Sequence, residues 1–396
     1  MNTFVCFLMT AVVVFTTNMS VGAEKATGKA QAEFSGKVRL QLPKVIYAVP
    51  SIEMNVYFDN VILAINPQNY AFDVTCEKGM QQDERWTFTP QPTDVGEYPF
   101  QIEVRDETNT VIARAHSILS VVPANAGTGR SITQLCIGDS LTHASVYTGH
   151  LLDLCSKPDN PHLTLIGTLH LVDRLETNRH EGYGGWTAER FMTHYTPTAR
   201  TGDFQLHGSP FLYAGPDGKP KLDFPRYCKE TNHGQAPDVV TIFLGCNDNF
   251  AATDETLTAS IDRMLKYYDE LIAMIHDYNK NTKIGALLLV PPAATQDAFG
   301  ANYGCGQTRG QYKRNQHEVV RRMLAHYAHR EKENLWLIPA YFNLDCQHNY
   351  PQATVPANAR TAQTITRQTN GVHPVTAGYS QIGDSIYCWL KAQMVK

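Results

Sequence analysis

The chain has no basic surplus: 34 Lys and Arg stand against 38 Asp and Glu, a formal net charge of -4. Without a cationic excess to neutralise phosphates, and without any basic run, the sequence argues against nucleic-acid binding and against a polybasic membrane patch. It also lacks an apolar run of the ~20 residues that a membrane span needs. No CxxC pair and no HExxH helix occurs, so neither a metal site nor a cofactor is expected. Cysteine itself is not scarce. Eight residues beyond Cys6 form an even set that permits disulfides without fixing their pairing. Cys136 and Cys246 lie in or beside strand-like apolar runs, where a buried free thiol is the expected state.

What is present begins with an apolar stretch, Phe4–Thr17, closed by the small residues Val21-Gly22-Ala23. No Lys or Arg precedes it, yet its length and small-residue end read as a cleaved export signal over residues 1–23 rather than an anchor. The protein is therefore expected to be exported, either periplasmic or secreted. After a polar linker, short β-rich segments run through Val38–Leu42, Glu53–Phe58, Ala71–Thr75, Trp86–Pro90, Tyr98–Val104 and Val111–Val121. Turn residues separate them, which predicts an immunoglobulin-like sandwich over residues 36–123.

The rhythm changes at about residue 131. Continuous apolar strands at Ile132–Ile137, Leu163–Leu169, Asp238–Leu244, Ile284–Val290 and Leu335–Pro339 alternate with helical stretches. That alternation over residues 131–396 predicts an α/β fold, a doubly wound parallel five-stranded sheet of flavodoxin-like type. Ligands bind such sheets beyond the carboxyl ends of the strands. The polar motifs of this chain fall there.

Ser140, in the run Ile137–Ser140, sits on a strand-to-helix turn with its hydroxyl lifted clear of the sheet. An alcohol is a weak nucleophile until a base takes its proton. Among 15 histidines the best-placed base is His373, in the loop NGVHPVTAGY just before the last helix. Acyl transfer also needs donors for the tetrahedral oxyanion. HEGYGGWT offers backbone N–H groups at Gly182, Gly184 and Gly185, and LGCNDN offers the side-chain amide of Asn247.

These four segments resemble the blocks of the SGNH (GDSL-type) hydrolases: GDS at Gly138–Ser140, the glycine of GGW at Gly185, GCND at Gly245–Asp248 and VHP at Val372–Pro374. The resemblance implies Ser140 as nucleophile and His373 as general base. It implies an oxyanion hole of the Ser140 and Gly185 N–H groups with the Asn247 side chain. HEGYGGWT further resembles the second block of carbohydrate acetyl-esterases in that family, which implies a carbohydrate ester as substrate.

One position departs from the pattern. The family carries Asp three residues before its histidine, and this chain has Asn370. Asparagine accepts a hydrogen bond but brings no charge to an imidazolium. Three readings stay open: a Ser-His dyad oriented by Asn370 or a backbone carbonyl, a substitute carboxylate such as Asp345, or a weakened site. Trp186 and Tyr183 suggest an aromatic platform for a sugar ring, with Trp186 packing the following helix as the equal alternative, and the Pro/Gly-rich insertion Thr201–Gln235 is expected to line the cleft. The leading expectation is an exported serine esterase acting on acyl, and specifically acetyl, groups of carbohydrate. A lipase or thioesterase with the same machinery, and a catalytically weakened glycan-binding protein, are the alternatives.

Overall fold

A computed structural model describes residues 38–171, 174–197 and 208–395; the export signal expected over 1–23 lies outside the described residues. The continuous apolar runs form five parallel strands: β1 (Ser131–Gly138), β2 (His162–Ile166), β3 (Val239–Phe243), β4 (Lys283–Leu287) and β5 (Leu335–Ile338). Their order in the sheet is 2-1-3-4-5, as a doubly wound fold of flavodoxin-like topology requires. The pair Glu181–Gly182 continues the edge of β2, facing Ile137 and Gly138 at the end of β1. Leu135, Ile137, Val240, Ile242, Ile284 and Ala286 are fully buried, because helices cover both faces of the sheet.

Those helices are α1 (Ser140–His143), α2 (Val146–Cys155), α3 (Ala188–Thr193), α4 (Phe224–Thr231), α5 (Leu257–Tyr278), α6 (Gln296–Tyr303), α7 (Arg309–His326) and α8 (Thr376–Ala392). α2 packs on α8, and α5 packs on α3, α4 and α7. Among the described residues no helix is long and apolar enough to cross a membrane. The stretch Leu141–Cys155, which reads as one helix in sequence, is broken at Ser145, whose φ of 57° lies in the left-handed region. The break survives because Ser145 Oγ pairs with the buried His180 ring at 2.6 Å.

The insertion Thr201–Gln235 departs from expectation. Residues 201–207 lie outside the described residues, but the rest is not an open loop. It forms a hairpin, Leu212–Ala214 with Pro220–Leu222, followed by α4. Phe211, Phe224 and Tyr227 are buried in one another and against Phe191. Its aromatic content serves the core rather than a cleft.

The N-terminal region is all-β. A four-stranded sheet runs Val45–Ala48, Val111–Val121, Gly96–Arg105, Ala71–Thr75, and a three-stranded one runs Met54–Tyr57, Arg85–Phe88, Met80–Gln81. Pairings are antiparallel except Val45–Ala48 on Val111–Val121. Trp86 of the smaller sheet meets Phe100 of the larger edge-on at 5.0 Å. Apolar residues of this region and of the parallel sheet belong to one continuous core. All eight described cysteines are free thiols.

Candidate active site

β1 ends at Gly138, and the chain turns at once into α1. Asp139 makes the turn by accepting the Leu141 N–H at 3.0 Å, as a helix cap does. This leaves Ser140 at the first helical position. Its Oγ stands 2.8 Å from Nε2 of His373, which lies in the loop before α8. For Nε2 to receive the serine proton, the ring must carry its own hydrogen on Nδ1. Burial holds the His373 pKa below the ordinary histidine value, so the ring is neutral and basic near neutral pH.

Donors for a developing oxyanion surround the serine. Among the described residues, neither the Ser140 N–H nor the Gly185 N–H meets an acceptor. Gly185 is exposed, has φ of 75°, and faces open space where a side chain would otherwise stand. Only glycine adopts that backbone without strain. Asn247 follows Gly245, whose φ of 118° starts a short helical turn, Cys246–Asn249. The Asn247 amide donates to Asp139 Oδ2 at 3.2 Å and to the Trp186 carbonyl at 3.1 Å. It is thereby clamped between the Ser140 turn and the glycine loop, and an oxygen approaching this amide must share or displace one of these bonds.

Other expected residues sit differently. Asn370 does not reach the imidazole. Its Oδ1 accepts the backbone N–H groups of Val372 and His373, at 3.0 and 2.8 Å, so it shapes the loop instead of the ring. Asp345 is not a substitute acid either: it accepts from the N–H groups of Gln347 and His348 and pairs with the His348 ring at 2.9 Å. Among the described residues His373 Nδ1 meets no acceptor. Trp186 and Tyr183 form no platform, because both are 1% exposed. They stack on each other with ring centres 4.6 Å apart, and Trp186 packs edge-on against Phe191 of α3.

Two residues that sequence reading passed over brace the glycine loop. Glu181 is fully buried and its carboxylate accepts four hydrogen bonds: Thr168 N–H at 2.7 Å, Thr168 Oγ1 at 2.9 Å, Tyr183 OH at 2.5 Å and Tyr227 OH at 2.7 Å. Burial raises its pKa, and the four donors oppose that rise. His180 accepts the Gly182 N–H on Nδ1, so its Nε2–H donates to Ser145. The signal was present, since His180 and Glu181 lead directly into the glycine run. Behind Asn247, burial lifts both Asp139 and Asp248 to about 7; Asp248 adds to the rise at Asp139, and Glu189 to that at Asp248, less strongly. Asp248 Oδ2 is buried and meets no partner among the described residues. No cluster of His, Cys, Asp and Glu among the described residues is arranged to hold a metal ion.

Comparison with known proteins adds a family. The model of the GDSL-like lipases and acylhydrolases matches residues 135–386, a span that holds every site residue named above. No curated protein matches the chain in sequence. Among solved structures it is similar to a family 3 carbohydrate esterase of Clostridium thermocellum, with 16% identity, 67% of this chain and 100% of that one covered, and a TM-score of 0.38. A family 3 carbohydrate esterase of Talaromyces cellulolyticus gives 14%, 66%, 98% and 0.37 in the same terms. A carbohydrate acetylesterase family member of Sinorhizobium meliloti gives 14%, 66%, 99% and 0.37.

Proposed function

The chain belongs to the family of GDSL-like lipases and acylhydrolases, hydrolases acting on esters, and from that premise we propose that it is a serine esterase working through an acyl-enzyme on Ser140. The observation that carries this reading is the 2.8 Å approach of Ser140 Oγ to His373 Nε2 beside two unpaired N–H groups. In the first step His373 Nε2 takes the serine proton as Oγ attacks the ester carbonyl carbon. The oxyanion falls to the N–H groups of Ser140 and Gly185 and to the Asn247 amide. His373 returns the proton to the departing alcohol, and the acetyl or other acyl group stays on Ser140. Water, deprotonated by the same ring, then releases the acid.

We take the substrate to be an acetylated carbohydrate, on the strength of HEGYGGWT, and the site of action to lie outside the cytoplasm, on the strength of Phe4–Thr17 and the small residues after it. Hydrolysis of nitrophenyl acetate and nitrophenyl octanoate, with acetate release from an acetylated xylan, tests the substrate. Faster turnover of the acetyl ester and release from the polymer are expected. Preference for the octanoyl ester would make the protein a lipase-type member instead.

A further inference from the structure

We infer that Asp59 and Asn60, in the N-terminal β region, are positioning residues for His373, holding the two loops from which the histidine loop is hung. The inference rests on reading Ser140 and His373 as nucleophile and base. Both residues lie on one helical turn, Phe58–Val61, and each starts an arm of hydrogen bonds that ends in the segment 368–373.

The first arm starts at Asp59. Its carboxylate accepts from Arg309 Nη2 at 2.9 Å and from the buried Lys313 ammonium. The Arg309 Nε then donates to the Ala293 carbonyl at 3.0 Å, and the Ala293 N–H donates to the Gly371 carbonyl at 3.1 Å. Gly371 stands two residues before His373 and is pressed on Phe299, with no room for a side chain. The second arm starts at Asn60, which is 3% exposed. Its amide donates to the carbonyls of Leu344 at 2.7 Å and Tyr341 at 3.0 Å, and its Oδ1 accepts from Cys346 Sγ. The Cys346 carbonyl accepts from Gln368 Nε2 at 2.8 Å. Gln368 closes the arm by accepting the N–H and hydroxyl of Thr295, at 2.9 and 3.0 Å, from the loop after β4.

These arms matter because, among the described residues, no charged group bonds the ring. With no acceptor on Nδ1 among the described residues, the bearing of the imidazole on Ser140 comes from the placement of the loop backbone. Asn370 fixes the loop internally, and Gln368 and Gly371 fix it to its surroundings. The N-terminal region thus takes up, through two loops, an orienting task that the family assigns to a carboxylate.

The test uses the full-length protein and compares Asn60→Ala and Asp59→Asn with Gln41→Ala. Gln41 is buried at the same seam, but among the described residues its side chain ties only to the His317 carbonyl on α7. Both arm variants should lower kcat on nitrophenyl acetate by roughly tenfold or more, since displacements near 1 Å can cost a hundredfold, with KM within about twofold. Their acid limb of kcat/KM should also move up toward the ordinary histidine value as the ring loses its enclosure. Gln41→Ala should keep the wild-type kcat and limb. Folded arm variants with wild-type kcat and limb, or an equal loss in Gln41→Ala, would overturn the inference. Should Asn60→Ala fail to fold, Asp59→Asn, at a partly exposed side chain, decides alone. Wild-type turnover keeps the serine-esterase reading intact in every one of these cases, whereas an inert wild type would overturn both.

Discussion

The serine side of the site is tied within the parallel-sheet region, by contacts among residues 138–248, whereas the histidine side is held by ties spanning up to 286 positions in sequence. On the first side a buried carboxylate, Glu181, gathers four donors and Asp139 caps its own helix. On the second side a neutral asparagine shapes a loop, and neighbouring loops carry the load out to the N-terminal region. The comparison teaches that the pair proposed as catalytic rests on two kinds of support. Bonding around buried carboxylates close in sequence supports the serine side, and long-range bonding through neighbouring loops, begun at Asp59 and Asn60, gives the histidine its bearing.

The largest effect should come from the nucleophile side. Glu181→Ala leaves the hydroxyls of Tyr183 and Tyr227 and the N–H of Thr168 without their acceptor, and should cost roughly 3–5 kcal/mol of stability. Urea unfolding measures it; a loss below 1 kcal/mol would remove the local-support half of the comparison. Next comes Asn247→Ala, which should lower kcat by roughly 10²–10³ while leaving the fold intact, the usual cost of an oxyanion donor. Steady-state kinetics decide it, and a change in KM alone would place Asn247 in substrate binding only.

On the histidine side the effects should be smaller. Asn370→Ala removes the acceptor of two backbone N–H groups and should cost roughly tenfold in kcat. Asp345→Asn should leave turnover within about twofold, because that carboxylate serves His348 and its own turn. If the two variants exchanged these outcomes, Asp345 would be the hidden acid and the contrast between the two sides would collapse.

The most specific effect concerns pH. Burial lifts Asp248 to about 7 from an ordinary 3.8, so the folded chain binds its proton more tightly than the unfolded chain. The stability this contributes is full below about pH 3.8 and is lost as pH rises through 7. Buried His180 and His317, lowered to about 3, act in the opposite sense between pH 3 and 6.5 and mask that slope in the wild type. Asp248→Asn should therefore gain on the wild type by up to ~1.4 kcal/mol per pH unit from pH 4 to 7, then level off. Parallel urea midpoints for the two proteins across this range would count against the buried proton.

Much of this molecule was legible in the sequence where the signal was local. The five parallel strands stand within one to three residues of their apolar runs, and Ser140 and His373 lie in short motifs at strand ends. Asn370 was visible as a departure, but the direction of its amide was not, since an asparagine three residues before a histidine can meet either ring or backbone. For Trp186 and Tyr183 the sequence left two readings open, because an aromatic beside glycines packs inward or outward with the same local pattern. What decides it is Glu181, which draws the Tyr183 hydroxyl into the core. The insertion Thr201–Gln235 misled, its Pro and Gly masking Phe211, Phe224 and Tyr227. Asp59 and Asn60 carried no signal, because their partners lie some 250 to 286 residues ahead.

The central claim is that Ser140, activated by His373, is the nucleophile. Incubation of the full-length protein with a fluorophosphonate, followed by intact mass and peptide mapping, tests it most directly. One adduct on Ser140 is predicted, absent from Ser140→Ala and formed far more slowly in His373→Ala. An unmodified wild type, or equal labelling of Ser140→Ala, would contradict it.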